Sequence, residues 1–240
     1  MGRVEVCIPL LIMPQAPHIP VLRLTDYTPR LDSRIRLREQ IARSLKAGSR
    51  TPAIWLSGGL EATVYIATYS LKAFLPIYAL QAGVSIAIVG LFFSVQEAVS
   101  LVLRPLAGRT GDHVGYLNAI AMGMLIVGGP LLLLPQVKGN IGLLALSALM
   151  GCGQALVFPA TTALISEQID EHFLGAGMGL AGTLNNLGKV LGPILGGVLV
   201  GSMGYVVMFR GMGALLLCAG AAVWLASLRG RTSRLVTPSP

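Results

Sequence analysis

The chain has 240 residues, of which 54% are hydrophobic and 12% are charged. A soluble domain is about 25% charged, so a water-soluble fold of this size would lack the ionisable groups to cover its surface. The apolar content excludes intrinsic disorder. Three scattered cysteines fit neither a disulfide framework nor a metal site. The composition therefore indicates an integral membrane protein.

Basic residues outnumber acidic residues by 18 to 10, and nine of them precede residue 52. Most of the others flank apolar runs, where the basic residues of membrane proteins lie beside lipid headgroups. No nucleic-acid recognition motif accompanies the charge. We expect the lipid bilayer as a partner and no nucleic acid.

Residues 1–52 are predicted to be a basic cytoplasmic segment of linker-like character, whose first part is interrupted by five prolines. Within it, residues 31–47 predict an amphipathic helix with apolar residues on one face and arginines beside it. Such a helix suits the headgroup region, and a solvated tether is the open alternative. Residues 229–240 are predicted to be a second basic cytoplasmic segment.

The region between these two segments, residues 53–228, is predicted to be a transmembrane domain. A helix needs about 20 residues to cross the hydrocarbon, and six stretches are long and apolar enough. They are 53–80, 84–103, 117–135, 141–165, 174–203 and 205–228. No ten-residue alternation of a β-barrel appears. We therefore predict an all-α integral membrane protein with six transmembrane helices.

Basic residues also predict the orientation. The two ends of the chain and the 104–116 connection are rich in arginine, whereas the opposite side offers Lys138 and Arg210. By the positive-inside rule, we expect both termini on the cytoplasmic side of the inner or plasma membrane.

The connection between the second and third predicted helices reads Arg104-Pro-Leu-Ala-Gly-Arg-Thr-Gly-Asp-His-Val-Gly-Tyr116. Its glycines permit a tight turn, and its aspartate can accept hydrogen bonds from free N–H groups at a helix start. Such a contact can hold two helix bundles together in one conformation and release them in another. The candidate residues of this cytoplasmic gate are Arg104, Gly108, Asp112 and Gly115.

The fifth predicted helix contains a second motif, Gly188-Lys-Val-Leu-Gly-Pro-Ile-Leu-Gly-Gly197. Glycines at every fourth position make a flat strip that a neighbouring helix can approach closely, and the proline permits a bend. Tight packing without any role in transport remains an alternative. The candidate packing and bending residues are Gly188, Gly192, Pro193, Gly196 and Gly197.

With these two motifs the chain resembles the major facilitator superfamily of secondary transporters over about residues 50–230. The first motif is similar to G-x-L-x-D-R-x-G-R, and Gly108, Asp112 and Gly115 match it. A threonine replaces its leucine, and His113 and Tyr116 stand where it has arginine. The second motif is similar to the G-x-x-x-G-P-x-x-G-G pattern of antiporter branches.

The resemblance implies one half of a twelve-helix transporter, built as two inverted three-helix repeats. The basic segment before the first span, and residues 73–79, which look like the seventh helix of drug-exporter-like members, favour the C-terminal half. The implied partners are a small-molecule substrate and either a second six-helix half or a homodimer partner. A non-transporting remnant or a regulatory subunit is the open alternative.

Polar side chains within membrane spans are costly and are functional candidates. Spacings of three and four place those of the first helix on one face, and Ser147, Gln154 and Thr161 recur every seven residues in the fourth. The predicted substrate or proton pathway comprises Glu61, Tyr65, Thr68, Lys72, Glu97, Gln154, Asn185 and Lys189. A buried carboxyl group there could bind a proton from one side of the membrane and release it to the other.

Simpler roles remain open for several of these residues. Lys72 could extend to the headgroups, Glu97 could form a structural ion pair with Lys189 or Lys72, and Gln154 and Asn185 could bond neighbouring helices. The sequence contains no nucleophile–base pair, metal cluster or phosphate-binding loop. We expect no enzymatic activity, catalytic residue, metal or cofactor.

Overall fold

Six long α-helices make up most of the computed structural model, which describes residues 52–137, 139–168 and 174–228. The helices are α1 (Pro52–Gln81), α2 (Ile86–Val114), α3 (Tyr116–Leu133), α4 (Asn140–Gln168), α5 (Leu174–Met203) and α6 (Tyr205–Leu228). A short 3-10 helix, Leu134–Gln136, continues α3. The prediction of an all-α protein with six helices is confirmed. The two predicted basic segments lie outside the described residues, except for Pro52.

Five of these helices, α2 to α6, are long and apolar enough to cross a membrane. The first helix is 30 residues long but is not among the five, and it carries Glu61 and Lys72. It nevertheless packs within the bundle, because it makes its most extensive contacts with α5 and also touches α4 and α6. The architecture is that of an integral membrane protein.

The helix pairs follow a repeat. Helix α1 packs mainly on α5, and α4 packs in the same way on α2. Helix α3 also packs extensively on α4, and the corresponding contact of α6 with α1 is smaller. When α1, α2 and α3 are exchanged with α4, α5 and α6, the contact of α1 with α5 becomes that of α4 with α2, and the contact of α3 with α6 is unchanged. This is the pattern expected for two inverted three-helix repeats.

The glycine strip of α5 lies against α1. A Cβ atom added at Gly188 would come within 2.5 Å of the Ala62 carbonyl oxygen, and one at Gly192 within 2.7 Å of the Ile66 oxygen. The Ser70 hydroxyl donates a hydrogen bond of 2.6 Å to the Gly192 carbonyl oxygen. Because these positions have no side chain, the two helices lie close enough for the Ser70 side chain of α1 to bond directly to the backbone of α5.

Two helix boundaries consist of a single glycine. Gly115 separates α2 from α3 with φ of +90°, and Gly204 separates α5 from α6 with φ of +85°. Both values lie in the region that glycine adopts without steric cost. The chain reverses direction at these points without a longer loop.

The prediction that residues 104–116 form a connecting loop is wrong, because α2 continues through them to Val114. Pro105 lies inside the helix and removes one backbone donor, which does not end the helix. Asp112 therefore lies in the last turn of α2. Its carboxylate accepts a hydrogen bond of 2.9 Å from the Tyr116 hydroxyl, and α3 begins without a side-chain cap.

Candidate functional site

A buried carboxylate joins three helices. Glu61 of α1 is 7% exposed, and its Oε2 accepts a hydrogen bond of 2.9 Å from the Thr161 hydroxyl of α4. The side chain of Asn185 on α5 also interacts with this carboxylate, and the charge of Lys189 acts on it. Sequence spacing singled out Glu61, and the fold supplies its partners.

Aromatic rings continue from Glu61 along α1. The Tyr65 ring stacks on the Phe158 ring of α4 at a centroid distance of 5.1 Å and an interplanar angle of 16°. The Tyr69 ring meets Tyr65 edge-on at 5.9 Å. The Lys189 ammonium lies 4.7 Å from the centroid of the Tyr65 ring, within the range of a cation–π interaction, and donates a hydrogen bond of 3.1 Å to the Asn186 oxygen.

An ion pair closes the other end of this face. The Lys72 ammonium donates to the Glu97 carboxylate across 2.9 Å, with the two side chains 36% and 51% exposed. Lys72 also lies 5.2 Å from the centroid of the Tyr69 ring. Of the two lysines considered as partners for Glu97, the structure pairs it with Lys72.

An open groove of about 460 Å³ lies between α2 and α4 beside these rings. Its walls are formed by Tyr65, Arg104, Phe158, Pro159, Thr162 and Ala163. Arg104 stands ten residues before the end of α2, about 15 Å along the helix axis at 1.5 Å per residue. The structure thus places Arg104 beside Tyr65, well separated from Asp112 and Gly115 at the end of the helix.

The remaining predicted pathway residues are more enclosed. The Thr68 hydroxyl is buried and bonds the Val64 carbonyl oxygen of its own helix. Gln154 is 3% exposed. Its side-chain oxygen and that of Asn185 are buried and have no hydrogen-bond partner in the described part of the chain. Among the described residues, no group of three or more His, Cys, Asp or Glu side chains could hold a metal ion.

Sequence reasoning missed Phe158 as a member of the site and left Thr161 out of the predicted pathway. Thr161 carried a signal, because it belongs to the seven-residue polar repeat of the fourth helix. Phe158 lies in an apolar stretch where a phenylalanine is expected for packing alone, so only the fold reveals that it stacks on Tyr65.

The fold and the site define an all-α integral membrane protein with a face of charged and aromatic groups on one side of the bundle. The family model described as "Major Facilitator Superfamily" matches residues 59–240. The chain belongs to the major facilitator superfamily. Members of this family are transporters and not enzymes.

Relatives agree with this assignment. The MFS-type transporter YwoD of Bacillus subtilis is 30% identical over 143 residues, which are 58% of this chain and 32% of YwoD. The multidrug resistance protein MdtG of Enterobacter lignolyticus is 35% identical over 133 residues, or 54% of this chain and 31% of MdtG. The chain thus matches about a third of the length of these relatives.

Proposed function

We propose that the chain is the C-terminal six-helix half of a secondary active transporter that exports a small solute across the inner or plasma membrane by alternating access. The observation that carries the proposal is the charged and aromatic face running from Glu61 to the Lys72–Glu97 ion pair. The name of MdtG, a multidrug resistance protein, supports the outward direction.

The exposure of this face supports the proposal that a second protein surface covers it. Glu97 is 51% exposed in the bundle as described, and charged groups within the membrane face a protein interior or a water-filled cavity. A second six-helix body, either an N-terminal half or a second copy of this chain, would provide that environment. The substrate would then bind between the two bodies near the middle of the membrane.

Proton coupling is the second part of the proposal, with Glu61 as the carrier. Its carboxylate has a hydroxyl donor in Thr161, and the Lys189 charge acts on it. Protonation would remove the negative charge that faces Lys189, and deprotonation would restore it. The charge of the site would then depend on the side of the membrane to which the site is open.

The orientation is proposed from the sequence. With both termini cytoplasmic, Asp112 and the Gly115 boundary lie on the cytoplasmic side, where they would serve as the gate.

Transport by reconstituted protein tests this proposal. The chain is placed in liposomes alone and together with a candidate N-terminal half, and the efflux of amphiphilic drugs, sugars and organic acids is followed with and without a pH gradient. We expect pH-driven transport only when both walls are present. Glu61→Gln should abolish the effect of the gradient. Glu167→Gln, on an exposed residue near the end of α4 that acts on Tyr116, can change the rate of transport but should leave its dependence on the gradient in place.

Absence of transport under every combination would favour the non-transporting alternative, a remnant or a regulatory subunit. Transport that ignores the gradient and survives Glu61→Gln and Glu97→Gln would remove proton coupling from the proposal.

A further inference from the structure

The charges along the polar face do not balance. Lys72 is paired with Glu97, and the charge of Lys189 acts on Glu61. Arg104 has no ion pair or hydrogen bond to any described residue, although its charge, together with those of Glu61 and Glu97, acts on the Tyr65 hydroxyl. Among the described cations of this face, Lys72 and Lys189 have hydrogen-bond partners, and Arg104, which lines the groove, has none.

The rest of the groove is mainly apolar. Tyr65 and Phe158 present stacked rings, and Pro159 and Ala163 complete the wall on α4. The remaining lining residue, Thr162, donates its hydroxyl hydrogen to the Phe158 carbonyl oxygen of its own helix at 3.0 Å. The volume of about 460 Å³ falls within the range of small-molecule sites, which combine apolar walls with a few polar groups.

We propose that this groove binds an organic anion with an aromatic body, of the aromatic carboxylate class. A planar guanidinium matches a carboxylate through two parallel hydrogen bonds, so Arg104 would hold the charged end. The ring would lie against the Tyr65–Phe158 stack, where offset and edge-to-face arrangements are favourable. This inference rests on the proposed function, since it names the substrate class of the same face.

The chemistry also predicts what the groove rejects. A neutral amide of the same shape keeps the ring contacts but loses the charge-assisted bonds to Arg104. An organic cation would meet the unpaired guanidinium and be repelled. The groove should therefore discriminate by charge among ligands of equal size.

The test measures equilibrium binding of 1-naphthoate to the full chain in phosphatidylcholine nanodiscs, with empty nanodiscs as the blank for lipid partition. The neutral probe is 1-naphthamide. Arg104→Gln should weaken naphthoate binding about ten- to a hundredfold, the range of a lost charge-assisted hydrogen bond, and should leave naphthamide unchanged. Arg104→Lys should retain part of the affinity, because the charge remains while the planar fork is lost.

Arg210→Gln is the matched control, since Arg210 is an exposed arginine on α6 and does not line the groove. It should leave naphthoate binding unchanged. Tyr65→Leu should weaken both probes, because it removes the ring stack that they share. Circular dichroism of each variant checks that the bundle is folded before binding is measured.

Three outcomes overturn the inference: no saturable binding of naphthoate to the wild-type chain, equal affinity for naphthoate and naphthamide, or equal losses in Arg104→Gln and Arg210→Gln. These results are separable from failure of the proposed function. If the chain binds naphthoate in preference to naphthamide but does not transport solutes when reconstituted with an N-terminal half, only the transport proposal is refuted. If the wild-type chain does not bind naphthoate, and transport of other solutes persists in Arg104→Gln, only the anion site is refuted.

Discussion

The close approach of α1 and α5 predicts an unequal response to the same substitution at two positions of one helix. Gly192 and Gly182 both lie inside α5. A Cβ added at Gly192 would stand 2.7 Å from the Ile66 carbonyl oxygen, 3.1 Å from the Tyr69 Cβ and 3.2 Å from the Ser70 nitrogen, whereas at Gly182 it would meet nothing within 4 Å. The first site is blocked by backbone, and the second is open.

The magnitude follows from this geometry. A contact of 2.7 Å is shorter by about 0.7 Å than the 3.4 Å at which ordinary contacts begin, and a backbone oxygen can yield only if the helix moves. Overpacking of this kind costs about 1–3 kcal/mol. Both variants gain the higher helix propensity of alanine, up to about 1 kcal/mol, so that gain cancels in the comparison. Gly192→Ala should be less stable than Gly182→Ala by about 1–3 kcal/mol.

The assay is reversible unfolding in mixed micelles of a mild detergent with increasing sodium dodecyl sulfate, followed by tryptophan fluorescence. The free energy of unfolding is compared for the wild type and the two variants. Equal stabilities of Gly192→Ala and Gly182→Ala would show that α1 and α5 do not approach each other along this strip, and the packing scheme would have to be abandoned.

Two further predictions concern the polar face. Thr161→Val removes a hydrogen-bond donor from the buried Glu61 carboxylate and should lower the free energy of unfolding by about 1–3 kcal/mol. Thr162→Val is the control, because the Thr162 hydroxyl bonds only its own helix, and it should change the free energy of unfolding little. Equal losses in the two variants would contradict the contact between Thr161 and Glu61. A double-mutant cycle of Lys72→Ala and Glu97→Ala should give a coupling of only about 0.2–1 kcal/mol, because both side chains are partly exposed on a face that we propose is open to water. A coupling of several kcal/mol would mean that lipid or another protein surface covers the pair.

Helix number and helix bounds could be predicted well because both depend on local properties. The predicted fifth and sixth spans, 174–203 and 205–228, coincide with α5 and α6, since the single glycine between them is a signal in the sequence itself. The prediction was wrong at the end of α2. There Pro105 and several glycines suggested a turn, yet Pro105 lies inside α2, as prolines and glycines can in membrane helices that pack against neighbours.

The site could be predicted only in part for a different reason. Spacing along one helix places Glu61 and Tyr65 on the same face, and a carboxyl group within a membrane span marks Glu61 as a functional candidate. Which residues of other helices meet that face depends on tertiary packing, so the contacts of Thr161 and Phe158 had to come from the structure. The same holds for Arg104, which the motif grouped with Asp112 and which the fold places beside Tyr65.

The central claim is that the chain crosses the membrane six times and so returns to the side on which it starts. The most direct test uses a chain whose three native cysteines are replaced by serine. Single cysteines are then introduced by Ser49→Cys and Ser233→Cys, and Asn140→Cys marks the first turn of α4. Labelling by a membrane-impermeant maleimide is compared in right-side-out and inverted vesicles. Six crossings predict that positions 49 and 233 react from the same side of the membrane and that position 140 reacts from the opposite side. Labelling of positions 49 and 233 from opposite sides would contradict it.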